Sequence, residues 1–323
     1  MIAIVGAGWY GLYMAYVLQK QGIPYIVYEK SDRIFNGESF RNQNRLHQGF
    51  HYPRSYETRM QSIRGFKKFL EVFGSVTTEV KENIYAVPYD SIIDFRTCLQ
   101  IFEASELEFE TIKHESLPDD IFEGAIRVDE RFIDPLLARD YFRSLNLSIQ
   151  FDSEISVVDE KVLLDGLKID FDLLFDCTYG TLMKDDTYFE RFFLTHVIKL
   201  DDSLMFDALT VIDGPFFSIY PFTSSLHTLT HVKFGIINDE NVPSEPGKNF
   251  EATISDAEQY LPGISNKIET IDSFTSRKYL PISGSAYRGT SIRKHNNKFY
   301  SVLGGKIDTI FEIDDLLLKL GIL

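Results

Sequence analysis

The chain has 323 residues, of which 44% are apolar and 14% aromatic, enough to bury one large core or two cooperating domains and incompatible with a disordered chain. Its 33 basic and 48 acidic residues leave a net charge of −15, which repels phosphate backbones and anionic lipid surfaces, so nucleic acid is not an expected partner. Two cysteines, Cys98 and Cys177, can build neither a disulfide framework nor a four-cysteine zinc site, and no metal is expected. No window reaches roughly 18 uninterrupted apolar residues and the first residues lack a basic flank, so no membrane span, no signal peptide and a cytoplasmic location are expected.

The first thirty residues read as strand, turn, helix, strand. Ile2-Ala3-Ile4-Val5 is an apolar run suited to a buried parallel strand, and it breaks at Gly6-Ala7-Gly8-Trp9-Tyr10-Gly11. Leu12, Ala15, Tyr16 and Leu18 then fall at helical spacing, and Gly22 closes the helix. A second buried strand, Tyr25-Ile26-Val27-Tyr28, ends in Glu29. The unit is a βαβ.

Residues 39–55 are polar, aperiodic and too long for an ordinary connection, which marks a functional loop. Met60, Ile63, Phe66, Phe69, Leu70 and Phe73 predict an amphipathic helix over 56–73. Residues 80–127 mix short strands such as Ile84-Tyr85-Ala86-Val87 with acidic pieces and read as a second layer. A strand over 124–129 leads to a helix opened by Asp134 with Pro135 at its first position. Leu173-Leu174-Phe175-Asp176 is another apolar strand, running into Cys177-Thr178-Tyr179-Gly180. Residues 192–237, dense in aromatic and β-branched side chains, read as antiparallel sheet. A last strand, 298–303, meets Gly304-Gly305, and a helix is expected from about Asp308 to Leu320.

In a G-x-G-x-x-G turn after a strand, the first glycine allows the turn, the second admits a pyrophosphate and the third lets helix and strand pack. Gly6, Gly8 and Gly11 stand in those places. The helix behind them offers free N–H groups and a positive dipole end, and Glu29, 18 residues after Gly11, stands where a carboxylate meets ribose hydroxyls. An adenine dinucleotide is implied. Glu29 disfavours a phosphorylated ribose, although Lys30 and Arg33 are close by in sequence. The loop alone does not choose between NAD and FAD.

The N-terminal glycine loop and the acidic end of the second strand resemble the flavoproteins of the D-amino-acid oxidase and glycine oxidase superfamily. The run Arg41-Asn42-Gln43-Asn44-Arg45-Leu46-His47-Gln48-Gly49-Phe50-His51-Tyr52 resembles the Asn-Ser-Gly-x-x-His-x-Gly-x-Tyr-Tyr stretch of the L-2-hydroxyglutarate dehydrogenase branch, which runs beneath the flavin. Gln43 and Asn44 replace the serine and glycine of that pattern. Ser301 to Thr309, with Gly304-Gly305-Lys306-Ile307, is similar to the Gly-Gly-Lys-x-Thr-Thr of flavin-linked glycerol-3-phosphate dehydrogenases.

The resemblance implies an α/β fold in which a Rossmann-like FAD-binding domain with a parallel sheet (1–78, 124–182 and 275–323) is interleaved with a mainly antiparallel substrate domain (79–123 and 183–274). FAD contacts are implied for Gly6, Gly8, Trp9, Tyr10, Gly11, Glu29, Lys30, Arg41, Asn42, Asn44, His47, Thr178, Gly180, Gly304, Gly305, Lys306 and Ile307. Gly304 to Lys306 would open the last helix and set a cation near the charge that develops on a reduced flavin. His47 and His51 are the candidate bases. In relatives such as dimethylglycine dehydrogenase a histidine at a similar place is bonded to the flavin, and His47 is its match. Arg277 resembles the family's arginine before the proline that precedes the last strands, and an arginine fork suits an acidic substrate; Arg45 and Arg54 also lie on the flavin loop. The aromatic run 216–222 reads as sheet core, with Tyr220 the outward-looking candidate for a catalytic role.

The expected function is an FAD-dependent oxidoreductase that takes a hydride from a carbon bearing a hydroxyl or amine in a small polar substrate, with the electron acceptor open. The alternatives are a redox-neutral or non-catalytic flavoprotein such as a sugar mutase, and an NAD-dependent dehydrogenase. The sugar mutase is weakened because no second glycine pair follows closely after Arg33.

Overall fold

The computed structural model describes residues 1–158, 161–184, 186–282 and 288–323. Among them the α-helices are α1 (Trp9–Lys20), α2 (Tyr56–Phe73), α3 (Phe95–Ala104), α4 (Pro135–Ser144), α5 (Pro246–Ala257) and α6 (Glu312–Lys319). No helix among the described residues is long and apolar enough to cross a membrane, and no His, Cys, Asp or Glu cluster there could hold a metal. The chain divides into two compact units: Met1–Phe40, Pro135–Tyr188 and Pro281–Leu323 form the first, and Arg41–Asp134 and Phe189–Leu280 the second.

The first unit is built on a six-stranded sheet in which Ile2–Val5 is flanked by Tyr25–Tyr28 and Leu173–Asp176, all parallel, with Phe299–Leu303 parallel beyond and Ser291–Lys294 antiparallel at the edge. Four consecutive buried residues in Ile2–Val5 fit a strand covered on both faces. On one face Ala3, Val5, Tyr28, Leu174 and Phe299 pack with Ile155 and Val162 from a small three-stranded sheet. Helix α1 buries Leu12, Met14, Ala15 and Leu18, and Gly22 follows it in the left-handed region at φ +67°. Pro135 opens α4 as expected.

The second unit carries an eight-stranded, mainly antiparallel sheet. Within it, Asn83–Pro88 pairs parallel with Ala208–Val211, which pairs antiparallel with Phe217–Pro221, and that strand pairs in turn with His227–His231. Alternation gives this sheet two unlike faces. Ile84, Ala86, Leu209, Val211, Phe217, Ile219 and Leu229 form an apolar core, against which Phe250, Ile254 and Ala257 of α5 pack. On the opposite face Tyr85 and Val87 join Cys98 and Phe102 of α3 in a second core. The same face turns polar toward the middle strands, where the register aligns Tyr85, Thr210, Ser218 and Thr230 in one row and Asn83, Ala208, Tyr220 and Thr228 in the next.

Compactness and the expected domain limits differ by a few residues at 183–188 and 275–280, and more widely over 41–78 and 124–134. Both of these longer segments pack within the second unit, because Arg45–Leu46 and Thr77–Glu79 pair with Arg131–Ile133 in a small antiparallel sheet.

Candidate functional site

In the first unit the glycine turn is held by contacts that leave no room for a side chain. Gly6 has φ +100°, and a Cβ there would stand 2.9 Å from the Cys177 carbonyl oxygen. A Cβ at Gly8 would stand 2.7 Å from the Ser39 hydroxyl, and one at Gly11 would collide with the Gly6 carbonyl. The Ser39 hydroxyl accepts the Trp9 N–H at 3.0 Å, and the first turn of α1 carries no acidic residue, so its dipole end is open to an anion. Glu29 closes the other side: its carboxylate accepts the Ala7 N–H at 2.7 Å and the Ser31 N–H at 2.9 Å. This ties the acidic residue to the glycine turn itself. Lys30 is exposed.

Two further turns lie in this unit. Asp176 accepts the Thr178 N–H at 2.8 Å, the Thr178 hydroxyl at 2.6 Å and the Met183 N–H at 3.1 Å, which shapes the turn bearing Thr178 and Gly180. The Tyr10 hydroxyl donates to the Lys306 carbonyl at 2.7 Å and lies 2.9 Å from the Thr309 hydroxyl, while its ring fills the space over Gly304. Trp9 is buried edge-on against Phe35 and Phe142.

The last helix departs from expectation. Gly304 to Lys306 lead into a 3-10 turn, Ile307–Thr309, and α6 begins only at Glu312 with three acidic residues in its first turn. Tyr10 and Thr309, both bonded to the Lys306 carbonyl, hold that turn tight. Lys306 does not stand as a lone cation either: its ammonium lies 3.0 Å from Asp308, both being almost fully buried.

In the second unit the 41–52 loop runs with Arg45–Leu46 as a short strand. Asn44 adopts φ +52° and its N–H donates to the Asn42 side chain at 2.5 Å, a local turn that a polar Asn supports. Arg41 is exposed. The Gln43 amide donates to Ser218 and Thr228 on the polar sheet face, at 3.3 Å each.

A chain of buried groups follows. Nη1 of Arg45 donates to the Thr210 hydroxyl at 2.7 Å and to the Tyr85 hydroxyl at 3.3 Å, and its guanidinium lies 3.9 Å above the Tyr220 ring. Tyr85 donates to Glu130 at 2.7 Å; the other Glu130 oxygen accepts the Gln48 N–H at 2.8 Å and faces Nδ1 of His47 at 3.6 Å. The rings of His47 and His51 stand 5.3 Å apart. Burial would raise the Glu130 pKa, but His47, Arg45 and Tyr85 outweigh it and hold the carboxyl down to about 2. Burial likewise opposes the Arg45 charge, and Tyr85, Tyr220 and Glu130 more than offset it, so the guanidinium stays cationic.

Arg45, His47, His51 and Tyr220 are thus brought near one another. Tyr220 does not look outward: it is fully buried beneath Arg45, because Val80 and Phe132 cover its strand. Arg277 lies on the edge strand Ile268–Pro281, 3.5 Å from Glu190, with two strands between it and the strand of Tyr220. Glu130 and Tyr85 are the residues that sequence reading missed. A single glutamate between two strands carries no local pattern; the one available signal was the hydroxyl of Tyr85 in an otherwise apolar strand.

The fold, a glycine turn at a helix end and a carboxylate bonded to that turn, defines a dinucleotide-binding α/β protein. Residues 1–143 match the family model described as DAO, FAD dependent oxidoreductase. The FAD-dependent monooxygenase FPY4 of Fusarium mangiferae is 32% identical over 99% of this chain and 90% of its own length. Glycine oxidase from Geobacillus kaustophilus superposes with TM-score 0.71 at 13% identity, covering 98% of this chain and 93% of its own. The FAD-bound L-α-glycerophosphate oxidase from Mycoplasma pneumoniae gives 0.69 at 17% identity, covering 99% and 94%. The chain belongs to the DAO family of FAD-dependent oxidoreductases. The crowded glycine turn, the acid-free start of α1 and the placement of Glu29 fit the adenine dinucleotide part of FAD.

Proposed function

We propose that this FAD-dependent oxidoreductase removes a hydride from a carbon bearing a hydroxyl or an amine in a small polar substrate, with His47 accepting the proton of that group. The observation that carries the reading is the His47–Glu130 pair: Nδ1 faces a fully buried, ionised carboxylate at 3.6 Å, which leaves Nε2 as the basic nitrogen. Glu130 favours the imidazolium that proton transfer creates, and Tyr85 and the Gln48 N–H fix the carboxylate in place. Bound FAD supplies a two-electron acceptor. Glycine oxidase and glycerophosphate oxidase, whose names give one amine and one hydroxyl substrate, share the fold. Gly6, Gly8, Trp9, Tyr10, Gly11, Glu29, Thr178, Gly180 and Gly304 to Ile307 are proposed as the dinucleotide side.

Anaerobic mixing of the purified flavoprotein with small hydroxy acids, amino acids and amines tests this: substrate alone bleaches the flavin, and His47→Ala slows bleaching by roughly 10²–10⁴-fold. A second reading, oxygen insertion, is favoured by the name of the FPY4 relative, which spans nearly the whole chain. It requires bleaching by a reduced nicotinamide and none by substrate alone, so the same experiment separates the two.

A further inference from the structure

In the Gly-Gly-Lys-x-Thr-Thr pattern that residues 304–309 resemble, Asp308 stands in the place of the first threonine. Its side chain and that of Lys306 are 1% and 9% exposed, and the ammonium lies 3.0 Å from Oδ2. Neither Asp308 oxygen accepts a hydrogen bond among the described residues, so the ammonium is the one cation that the carboxylate faces there. A buried carboxylate without donors is costly, which makes its pairing with Lys306 the reason it is tolerated. The turn that sets the pair is held from several sides. The Tyr10 and Thr309 hydroxyls both donate to the Lys306 carbonyl, at 2.7 and 2.9 Å, and the Thr290 hydroxyl donates to the Thr309 carbonyl at 3.0 Å. Tyr10 is the second residue of α1, so the pair is fixed beside the glycine turn. Burial, with the fields of Asp308 and Glu312 added, raises the Tyr10 pKa; the phenol stays neutral and takes no part in the charge balance. Lys306 is the one cation between Gly304 and Glu312, against two carboxylates.

We infer that Asp308 is a positioning residue that offsets the charge of Lys306, so that this segment presents no net positive charge to bound FAD and does not favour the negative charge of its reduced form. This rests on the reading of Gly304 to Ile307 as part of the FAD side and gives that side its electrical sign. A lone ammonium acts on a neighbouring ring as a full charge, whereas a close ion pair acts only as a dipole, whose potential falls off faster with distance. The helix end does not make up the difference, since α6 starts at Glu312 with three acidic residues in its first turn.

The test reads two properties of the FAD-loaded protein: the midpoint potential of the flavin, and its affinity for sulfite, which donates an electron pair to the oxidised ring and leaves negative charge on it. Wild type is expected to hold FAD at or below the potential of the free cofactor. Asp308→Asn, which leaves the ammonium uncompensated, should tighten sulfite at least tenfold and favour reduced over oxidised FAD at least tenfold, about 30 mV for two electrons. Asp308→Thr should do the same. Adding Lys306→Met to Asp308→Asn should return both readings to within about threefold of wild type, a reversal that a merely structural role for Asp308 would not produce. Readings within about twofold of wild type in the Asp308 variants overturn the inference, as does a double variant shifted as far as the single one. In the former case the double variant tells two failures apart: if it falls well below wild type, Lys306 acts on the flavin uncompensated and only the role of Asp308 is wrong, whereas if it too is unchanged, the placement of this segment beside the flavin fails as well. If the Asp308 variants do not fold or do not hold FAD, wild type decides, and binding of reduced FAD more than tenfold tighter than oxidised FAD, about 30 mV above the free cofactor, overturns the inference.

Discussion

The Tyr85 hydroxyl donates to the Glu130 carboxylate at 2.7 Å while accepting from Arg45 at 3.3 Å, so one phenol joins the buried cation to the buried anion. Tyr220, the neighbouring buried phenol, gives Arg45 its ring and has no partner for its hydroxyl among the described residues. The two tyrosines should therefore respond oppositely to loss of oxygen. Tyr85→Phe strands a carboxylate oxygen and is expected to destabilise the protein by about 1.5–3 kcal/mol, whereas Tyr220→Phe removes an unsatisfied group and should be within about 1 kcal/mol of wild type. Urea melts of the two variants without added ligand check this; equal losses would contradict the hydrogen-bond assignment.

Glu130 sets a second test. Its pKa, held at about 2 rather than the ordinary 4.5, means that the ionised form is favoured in the folded state. The unfolded chain then takes up its proton first as acid is added. The stabilisation is complete above about pH 4.5 and drains away toward pH 2, and Glu130→Gln should flatten the melting temperature over that window. At neutral pH the same variant leaves His47 and Arg45 facing a neutral amide and should lower stability by about 3–5 kcal/mol.

On the first unit, Glu29→Ala removes the acceptor of both the Ala7 and Ser31 N–H groups as well as the proposed ribose contact. FAD affinity is expected to fall at least tenfold, about 1.4 kcal/mol, while the visible spectrum of flavin that remains bound stays that of wild type. Titration of stripped protein with FAD, followed by fluorescence, gives both numbers. Unchanged affinity would leave Glu29 with a purely structural role in the turn.

The contrast between these sites explains what could be read from sequence. The dinucleotide turn is local: Gly6, Gly8 and Gly11 sit between a strand and a helix whose periods are plain, and Glu29 ends the next strand. Helix α2 was equally legible, its bounds following from Met60, Ile63, Phe66, Phe69 and Phe73. The polar sheet face is not local. It exists because strand register sets Tyr85 beside Thr210 and Ser218, residues more than a hundred positions further along the chain, and because Arg45 reaches across from a two-residue strand. Alternation in each strand is visible alone, but which face receives the cation is decided by tertiary pairing. Tyr220 shows this most directly, since an aromatic run offers no sign that one ring lies beneath a guanidinium.

Three histidines of the second unit supply the last prediction, at a pH well above the Glu130 window. His231 accepts the Lys233 and Phe234 N–H groups on Nδ1, at 3.1 and 3.3 Å, so its Nε2–H donates to Asp256 at 2.9 Å. The Asn249 amide donates to the Phe234 and Pro243 carbonyls, which turns its oxygen toward the His196 Nε2–H at 2.9 Å. His231 is thereby fixed as the neutral Nε2–H tautomer, and His196 carries a proton on Nε2. Burial is the leading cause that lowers the pKa of His196, His227 and His231, with Asn249, Asp256 and Asp207 only partly opposing it. Below about pH 6.5 the unfolded chain binds protons that the folded chain refuses, so stability is full above that value and falls as the pH drops through it. Melting temperatures taken from about pH 8 down to about pH 5 should decline from about pH 6.5, and His231→Gln should reduce the slope while lowering the plateau through its weaker hold on the 231–234 turn. A melting temperature flat over that range, in wild type as in the variant, would mean that these imidazoles protonate as readily folded as unfolded, and the burial argument would fail.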